Sequence, residues 1–151
     1  MSTIFHLAIP VEDISQTKAF YVDGLGCQIG RESNNALILK FFEHQLVAHV
    51  TEQLLLPQKG IYPRHFGIVF SQESDWKTLV SIARENKLRF YQQPKLRFPG
   101  LAIEHRACFL EDPFHNLLEF KYYRNPQAIF ACRELSQIGD RLSLHGRGNS
   151  R

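Results

Sequence analysis

HLAIPVEDISQTKAFYVDGLG, residues 6–26, reads as a strand followed by a helix. The strand extends from Ile4 to Val11 and is apolar apart from His6. Asp13 is a plausible N-cap for the helix. Ile14, Phe20, Tyr21 and Leu25 form its apolar face, with Ala19 beside them. Gly24 and Gly26 end it, because glycine takes the left-handed geometry found at helix C-termini. Cys27 to Arg31 can then form a short strand, and Ser33-Asn34-Asn35 marks a turn. Ala36 to Phe42 and Leu46 to Val50 read as a hairpin around Glu43-His44-Gln45. The order is therefore βαβββ.

The same order recurs. Residues 52–63 hold two prolines and one glycine and read as a linker. Arg64 to Phe70 is a second first strand, and Ser74 caps a helix reaching about Asn86. Leu88 to Tyr91 is a strand and Gln92 to Gly100 a loop. Ile103 to Glu111 and Leu117 to Tyr123 form a hairpin around Asp112-Pro113-Phe114-His115-Asn116. Placing His6 over His65 aligns Ile9 with Ile68, Ser15 with Ser74 and Lys18 with Lys77. The expected fold is α+β: two tandem βαβββ units, about 4–51 and 64–123, paired into one domain with a curved mixed sheet around a cleft. Residues 124–139 are a closing segment, with a helix expected over 126–139 between Pro126 and Gly139. Residues 140–151 are a polar tail, expected to be mobile.

Composition narrows the class. The chain has 151 residues, enough for one domain with a core, and is 44% hydrophobic and 22% charged, as soluble globular proteins are. A net charge of +3 is too small to argue for nucleic acid, and Arg133, Arg141, Arg147 and Arg151 make the surplus partly local. Cys27, Cys108 and Cys132 show no CxxC spacing, and their odd number suits free thiols in a reducing cytoplasm. No apolar run approaches the roughly 20 residues that span a bilayer, and no signal peptide is evident. A cytoplasmic location is expected, with no membrane partner.

Three polar side chains stand out in these apolar strands: His6, His65 and Glu119. Two imidazoles and a carboxylate are a common ligand set for a divalent metal that keeps positions free for substrate. The alternative is two hydrogen-bonded core histidines and one ion-paired glutamate.

HLAIPVEDISQTKAFYVDGLG and FLEDPFHNLLEF (residues 109–120) resemble the two halves of the vicinal oxygen chelate superfamily, which includes glyoxalase I, extradiol dioxygenases and bleomycin- and fosfomycin-resistance proteins. FFEHQLVAH, HFGIV, RFPG and LEFKYYRNP resemble a narrower bacterial group of extradiol-type dioxygenases. The resemblance covers about residues 4–132. It implies that His6, His65 and Glu119 bind a divalent metal, with iron(II) favoured and nickel, zinc or manganese as alternatives. It also implies a small-molecule substrate, extradiol-type ring cleavage, and pairing into a homodimer. A glyoxalase-like lyase or isomerase, or a non-catalytic resistance-type binding protein, is the alternative. One position departs from the pattern. His115 stands where the hairpin turn usually has glycine, so it must accept a positive φ or shift the turn.

Further candidates surround this set. His49 lies near the end of the first unit's last strand, where either it or Ala48 falls opposite Glu119 in the hairpin alignment. His49 and His105 are candidate bases for a substrate hydroxyl, because imidazole titrates near neutrality. Tyr123 shares a strand face with Glu119 and Lys121 and is a candidate for orienting a bound oxygen. Gln45 shares a face with His49 and is a candidate substrate contact. Arg97 and Arg106 are candidates for an anionic substrate, because guanidinium pairs with carboxylate in a bidentate way.

Overall fold

A computed structural model describes residues 1–139. The first unit runs β1 (His6–Val11), α1 (Ile14–Lys18), β2 (Gln28–Glu32), β3 (Ala36–Phe41) and β4 (His44–Val50). The second runs β5 (Phe66–Phe70), α2 (Glu73–Glu85), β6 (Phe90–Arg97), β7 (His105–Glu111) and β8 (Leu117–Tyr123). The expected paired βαβββ units are present. Each forms its own four-stranded mixed sheet, ordered β1-β4-β3-β2 and β5-β8-β7-β6. In both, the first strand runs parallel to the last and the other pairings are antiparallel.

Strand alternation divides each sheet into two faces. Leu7, Ile9 and Val11 turn toward the core, whereas His6, Ala8 and Pro10 are exposed on the other face. In β8, Leu118 and Phe120 enter the same core, so Leu117, Glu119, Lys121 and Tyr123 share the opposite face. One apolar core joins both units and takes in Trp76, Leu79, Val80 and Ala83 of α2. Phe41 meets Phe66 at 5.8 Å between ring centroids, and Phe42 meets Phe70 at 5.5 Å.

Polar ties also cross between the units. The buried Tyr21 hydroxyl donates to Asp112 Oδ2 at 2.8 Å, and Asn116 Nδ2 donates to the Pro10 carbonyl at 3.0 Å. Burial raises the Tyr21 phenol well above its ordinary value, and the Asp112 carboxylate raises it further. Burial likewise raises the Asp112 pKa against the hydrogen bonds that favour its charged form. Asp112 Oδ1 accepts from the backbone N–H groups of Phe114 and Asn116, which fixes the β7–β8 turn. His115 in that turn takes φ 69°, meeting the demand its sequence position made.

Several local expectations are corrected. α1 gives way at Ala19 to a π-helical turn over Ala19–Gly24, although Asp13 does cap it by accepting from Gln16 N at 2.6 Å. The N-cap of α2 is Gln72, with no side-chain cap, and Ser74 lies inside the helix. The expected loop after Tyr91 is mostly strand, because β6 continues to Arg97. Pro94 fits there because β6 is an edge strand whose register against β7 shifts on either side of Gln92. The closing helix is only one 3₁₀ turn, Pro126–Ile129, capped by Asn125. Phe130 leaves helical geometry, and Cys132 adopts φ 62°. The tail from residue 140 lies outside the described residues. No helix among the described residues is long and apolar enough to cross a membrane.

Candidate metal centre and cavity

His65 and Glu119 come together across the parallel β5–β8 pair. Gly67 is the register partner of Glu119, and a Cβ at Gly67 would lie 1.6 Å from the Glu119 carbonyl oxygen. Only glycine fits here. His65 Nε2 lies 2.9 Å from Glu119 Oε2, and Lys121 Nζ lies 3.6 Å from the same oxygen. Glu119 is 6% exposed.

The His65 tautomer follows from its other nitrogen. Nδ1 lies 2.6 Å from the carbonyl oxygen of Ile61, which can only accept, so Nδ1 carries a proton. The lone pair of neutral His65 is therefore on Nε2 and aims at the carboxylate. A proton shared there raises the His65 pKa, chiefly through the Glu119 hydrogen bond, with burial opposing. Burial raises the Glu119 carboxyl, but His65, Lys121 and Arg97 outweigh it and hold the group below its ordinary value. The donor set therefore suits a cation. His65, its ring fixed by the Ile61 carbonyl, and Glu119 are the residues here that would hold a divalent ion, which would supply Lewis acidity.

His6 lies on the first unit's sheet, with its ring exposed. Its Nδ1 is 2.7 Å from Gln45 Oε1, its register partner on β4. The amide oxygen accepts, so His6 too is left with Nε2 open. Gln45, a candidate substrate contact from sequence, orients the His6 ring through this bond. Among the described residues no three His, Cys, Asp or Glu side chains are gathered to hold a metal ion. The chain brings His65 to Glu119 but leaves His6 apart.

The hairpin question around His49 has a definite answer. Gly67 pairs with Glu119, and Ala8, its counterpart two residues after His6, pairs with Val47. Val47 therefore stands opposite Glu119, rather than Ala48 or His49. His49 is exposed on the Val47 face, in register with Pro10 and Ala36.

Beside the His65–Glu119 pair lies a cavity of about 430 Å³. The sheet supplies Arg97, His105, Lys121 and Tyr123 to its wall, and the closing segment covers another side. His105 is 5% exposed, and its Nδ1 lies 2.9 Å from the Ile103 carbonyl oxygen, which leaves Nε2 as the lone pair. Burial holds its pKa below the ordinary imidazole value. Tyr123 packs on it with ring centroids 4.7 Å apart, and Phe98 approaches at 6.0 Å. Arg97 is 5% exposed and donates to Gln92 Oε1 at 3.3 Å. Arg106 is on the other face of the sheet, where its Nε donates to Glu73 at 2.6 Å beside Trp76. It takes no part in the cavity.

Sequence reasoning missed Tyr62, Phe98 and Ile103 as cavity walls and Lys121 as an ion-pair partner of the Glu119 carboxylate. Strand parity contained the signal for Lys121, two residues after Glu119. Nothing in the sequence marked the Ile61 carbonyl. Burial pushes the Cys27 and Cys108 thiols to about 12, which makes them inert core residues.

Comparison with known proteins gives a family. The model described as "Glyoxalase/Bleomycin resistance protein/Dioxygenase superfamily" matches residues 3–120. A glyoxalase/bleomycin resistance protein/dioxygenase from Alicyclobacillus acidocaldarius is 40% identical, with TM-score 0.81 over 85% of this chain and 96% of that one. Two more distant structures share the fold. The fosfomycin resistance protein FosX from Listeria monocytogenes is 12% identical (TM-score 0.66), over 85% of this chain and 98% of its own. Lactoylglutathione lyase from Agrobacterium tumefaciens is 16% identical (TM-score 0.62), over 81% and 94%. No curated protein matches the chain closely enough to count as a relative.

Proposed function

Because the chain belongs to the glyoxalase/bleomycin resistance protein/dioxygenase superfamily, we propose that it is a metal-dependent enzyme that chelates two neighbouring oxygens of a small substrate. The observation that carries this reading is the fixing of the imidazoles. His6 and His65 each have Nδ1 tied to an acceptor oxygen and Nε2 left to ligate, and Glu119 already faces one of them. Two imidazoles and one carboxylate leave coordination positions for substrate.

The ligand set is completed in a homodimer. His6 stands on an exposed face, while His65 and Glu119 belong to the other unit. Ile4 and Ile29 are 70% and 49% exposed, line the surface beside Gln45, and give a second copy apolar surface to cover. In this reading His6 of one copy joins His65 and Glu119 of the other, and Gln45 holds the His6 ring.

A bound divalent ion, iron(II) in the favoured case, supplies Lewis acidity and redox chemistry at the chelated oxygens. His105 takes a proton from a substrate hydroxyl at Nε2, because Ile103 fixes its tautomer and burial keeps it neutral. Tyr123 packs on that ring and brings a phenol to the same cavity. His49, on the face that carries His6, is a second proton acceptor. The favoured reaction is extradiol-type ring cleavage. A glyoxalase-like lyase or isomerase would use the same ligands with nickel, zinc or manganese.

Reconstitution with iron(II), followed by oxygen uptake over a panel of catechols, tests the reaction. Uptake that disappears in His65→Ala is expected. A fully occupied iron site without uptake on any catechol rules out the dioxygenase.

A further inference from the structure

The closing segment lies against the cavity without being built into the core. From Pro126 to Gly139 every residue is half-buried or exposed. The half-buried ones, Ala128, Ile129, Cys132, Leu135, Gln137 and Gly139, all line the cavity together with His65, His105 and Glu119. Two of the segment's large apolar side chains are left to solvent: Phe130 is 95% exposed and Ile138 is 83% exposed.

Between Asn125 and Leu135 the segment is tied to itself. Asn125 Oδ1 accepts from Gln127 N, Ala131 N donates to the Gln127 carbonyl, and Leu135 N donates to the Cys132 carbonyl. The Asn125 amide reaches Cys132 Sγ at 3.9 Å. These bonds survive a rotation of the segment about its start, just beyond β8. The far end is held by shape. Gly139 takes φ 60°, and a Cβ there would lie 2.2 Å from the Tyr62 hydroxyl. Tyr62 in turn stands edge-on to His65, with ring centroids 6.1 Å apart.

Gln137 gives the segment a reason to open. Its Oε1 is buried with no hydrogen-bond partner among the described residues. An unpaired buried acceptor is costly, and opening returns it to water. A segment with little apolar burial and bonds of its own is the kind that opens locally while the rest of the fold stays intact.

We propose that residues 126–139 are a strap that gates the cavity, hinged at Asn125 and latched where Gly139 meets Tyr62. Closed, it shields the His65–Glu119 pair and the His105 lone pair from water; open, it admits a small molecule. The inference goes beyond the chelation reading, because it concerns entry to the cavity whether or not a metal is bound.

Carbethoxylation by diethyl pyrocarbonate, located by mass spectrometry, reads the gate in the metal-free full chain. His105 is 5% exposed and carries its lone pair on Nε2. The exposed His49, on the other sheet, is the internal reference. Gly139→Ala sets a methyl group against Tyr62 at a positive φ, and Asn125→Ala removes the cap at the hinge. Each should raise the His105 rate about fivefold or more with His49 unchanged. In the wild type the His105 rate should stay nearly flat in urea below the unfolding transition, since a local opening exposes little surface. Equal His105 rates in the wild type and both variants overturn the proposal. So does a parallel rise at His49, or a wild-type rate that climbs with urea as steeply as global unfolding. No metal enters the experiment, so failure of the chelation reading leaves its outcome unchanged.

Discussion

At His65 one imidazole is held from both sides. The Ile61 carbonyl fixes Nδ1, and Nε2 faces a carboxylate 2.9 Å away. In metal-free protein this has a pH signature. The folded His65 pKa is raised above 6.5, so its contribution to stability is complete below that value and is lost as pH rises through the folded pKa. The folded Glu119 pKa is lowered below 4.5, so its contribution is present above that value and is lost as pH falls through the folded pKa. Chelator-treated wild type should therefore gain most over His65→Gln in the mildly acidic window and lose that advantage at alkaline pH. Thermal melts at pH 5.5 and 8.5 check this, and an advantage that grows toward alkaline pH would contradict it. His65 and Glu119 were readable from the sequence because polar residues in apolar strands are conspicuous and parity fixes their faces. The orienting oxygens were less accessible. Gln45 was visible as a polar strand residue, but its partner His6 depended on the β1–β4 register. Ile61 acts through a backbone atom, which carries no side-chain signal.

Among the elements, the parallel β5–β8 pair decides whether the site exists. Gly67 faces the Glu119 backbone so closely that a Cβ would lie 1.6 Å from its carbonyl oxygen. Gly67→Ala must push β5 away from β8. The expected cost is about 3 kcal/mol or more, on the scale of a core overpacking with backbone displacement. Urea denaturation of the metal-free variant measures it, and a change below about 0.5 kcal/mol, typical of a neutral surface site, would show that the strands move apart freely. The boundaries most legible in sequence were those set by alternation, as in β8 over Leu117–Tyr123. Those that failed had competing signals. Pro94 read as a loop because proline removes a ladder donor, yet an edge strand with shifted register tolerates it. Pro126 and Gly139 framed a helix by their end preferences, but too little apolar periodicity lay between them, and one 3₁₀ turn formed.

For the whole molecule, the two units share one apolar core yet leave the proposed ligands divided. Tyr21–Asp112 and Asn116–Pro10 lock the units together, so His6 cannot be brought to Glu119 by a small shift of side chains. The repeat was legible in the order of elements. The way in which two copies of the chain would share a site was not, because register within a chain says nothing about contacts between chains. In the proposed dimer, His65 and Glu119 of one copy and His6 of another hold one divalent ion. Anomalous diffraction from crystals of the iron- or zinc-loaded protein tests it directly. One peak per chain is expected, about 2.0–2.2 Å from His65 Nε2, a Glu119 oxygen and Nε2 of His6 from a second copy. Full metal loading with the peak elsewhere, or with His6 unligated, would contradict it.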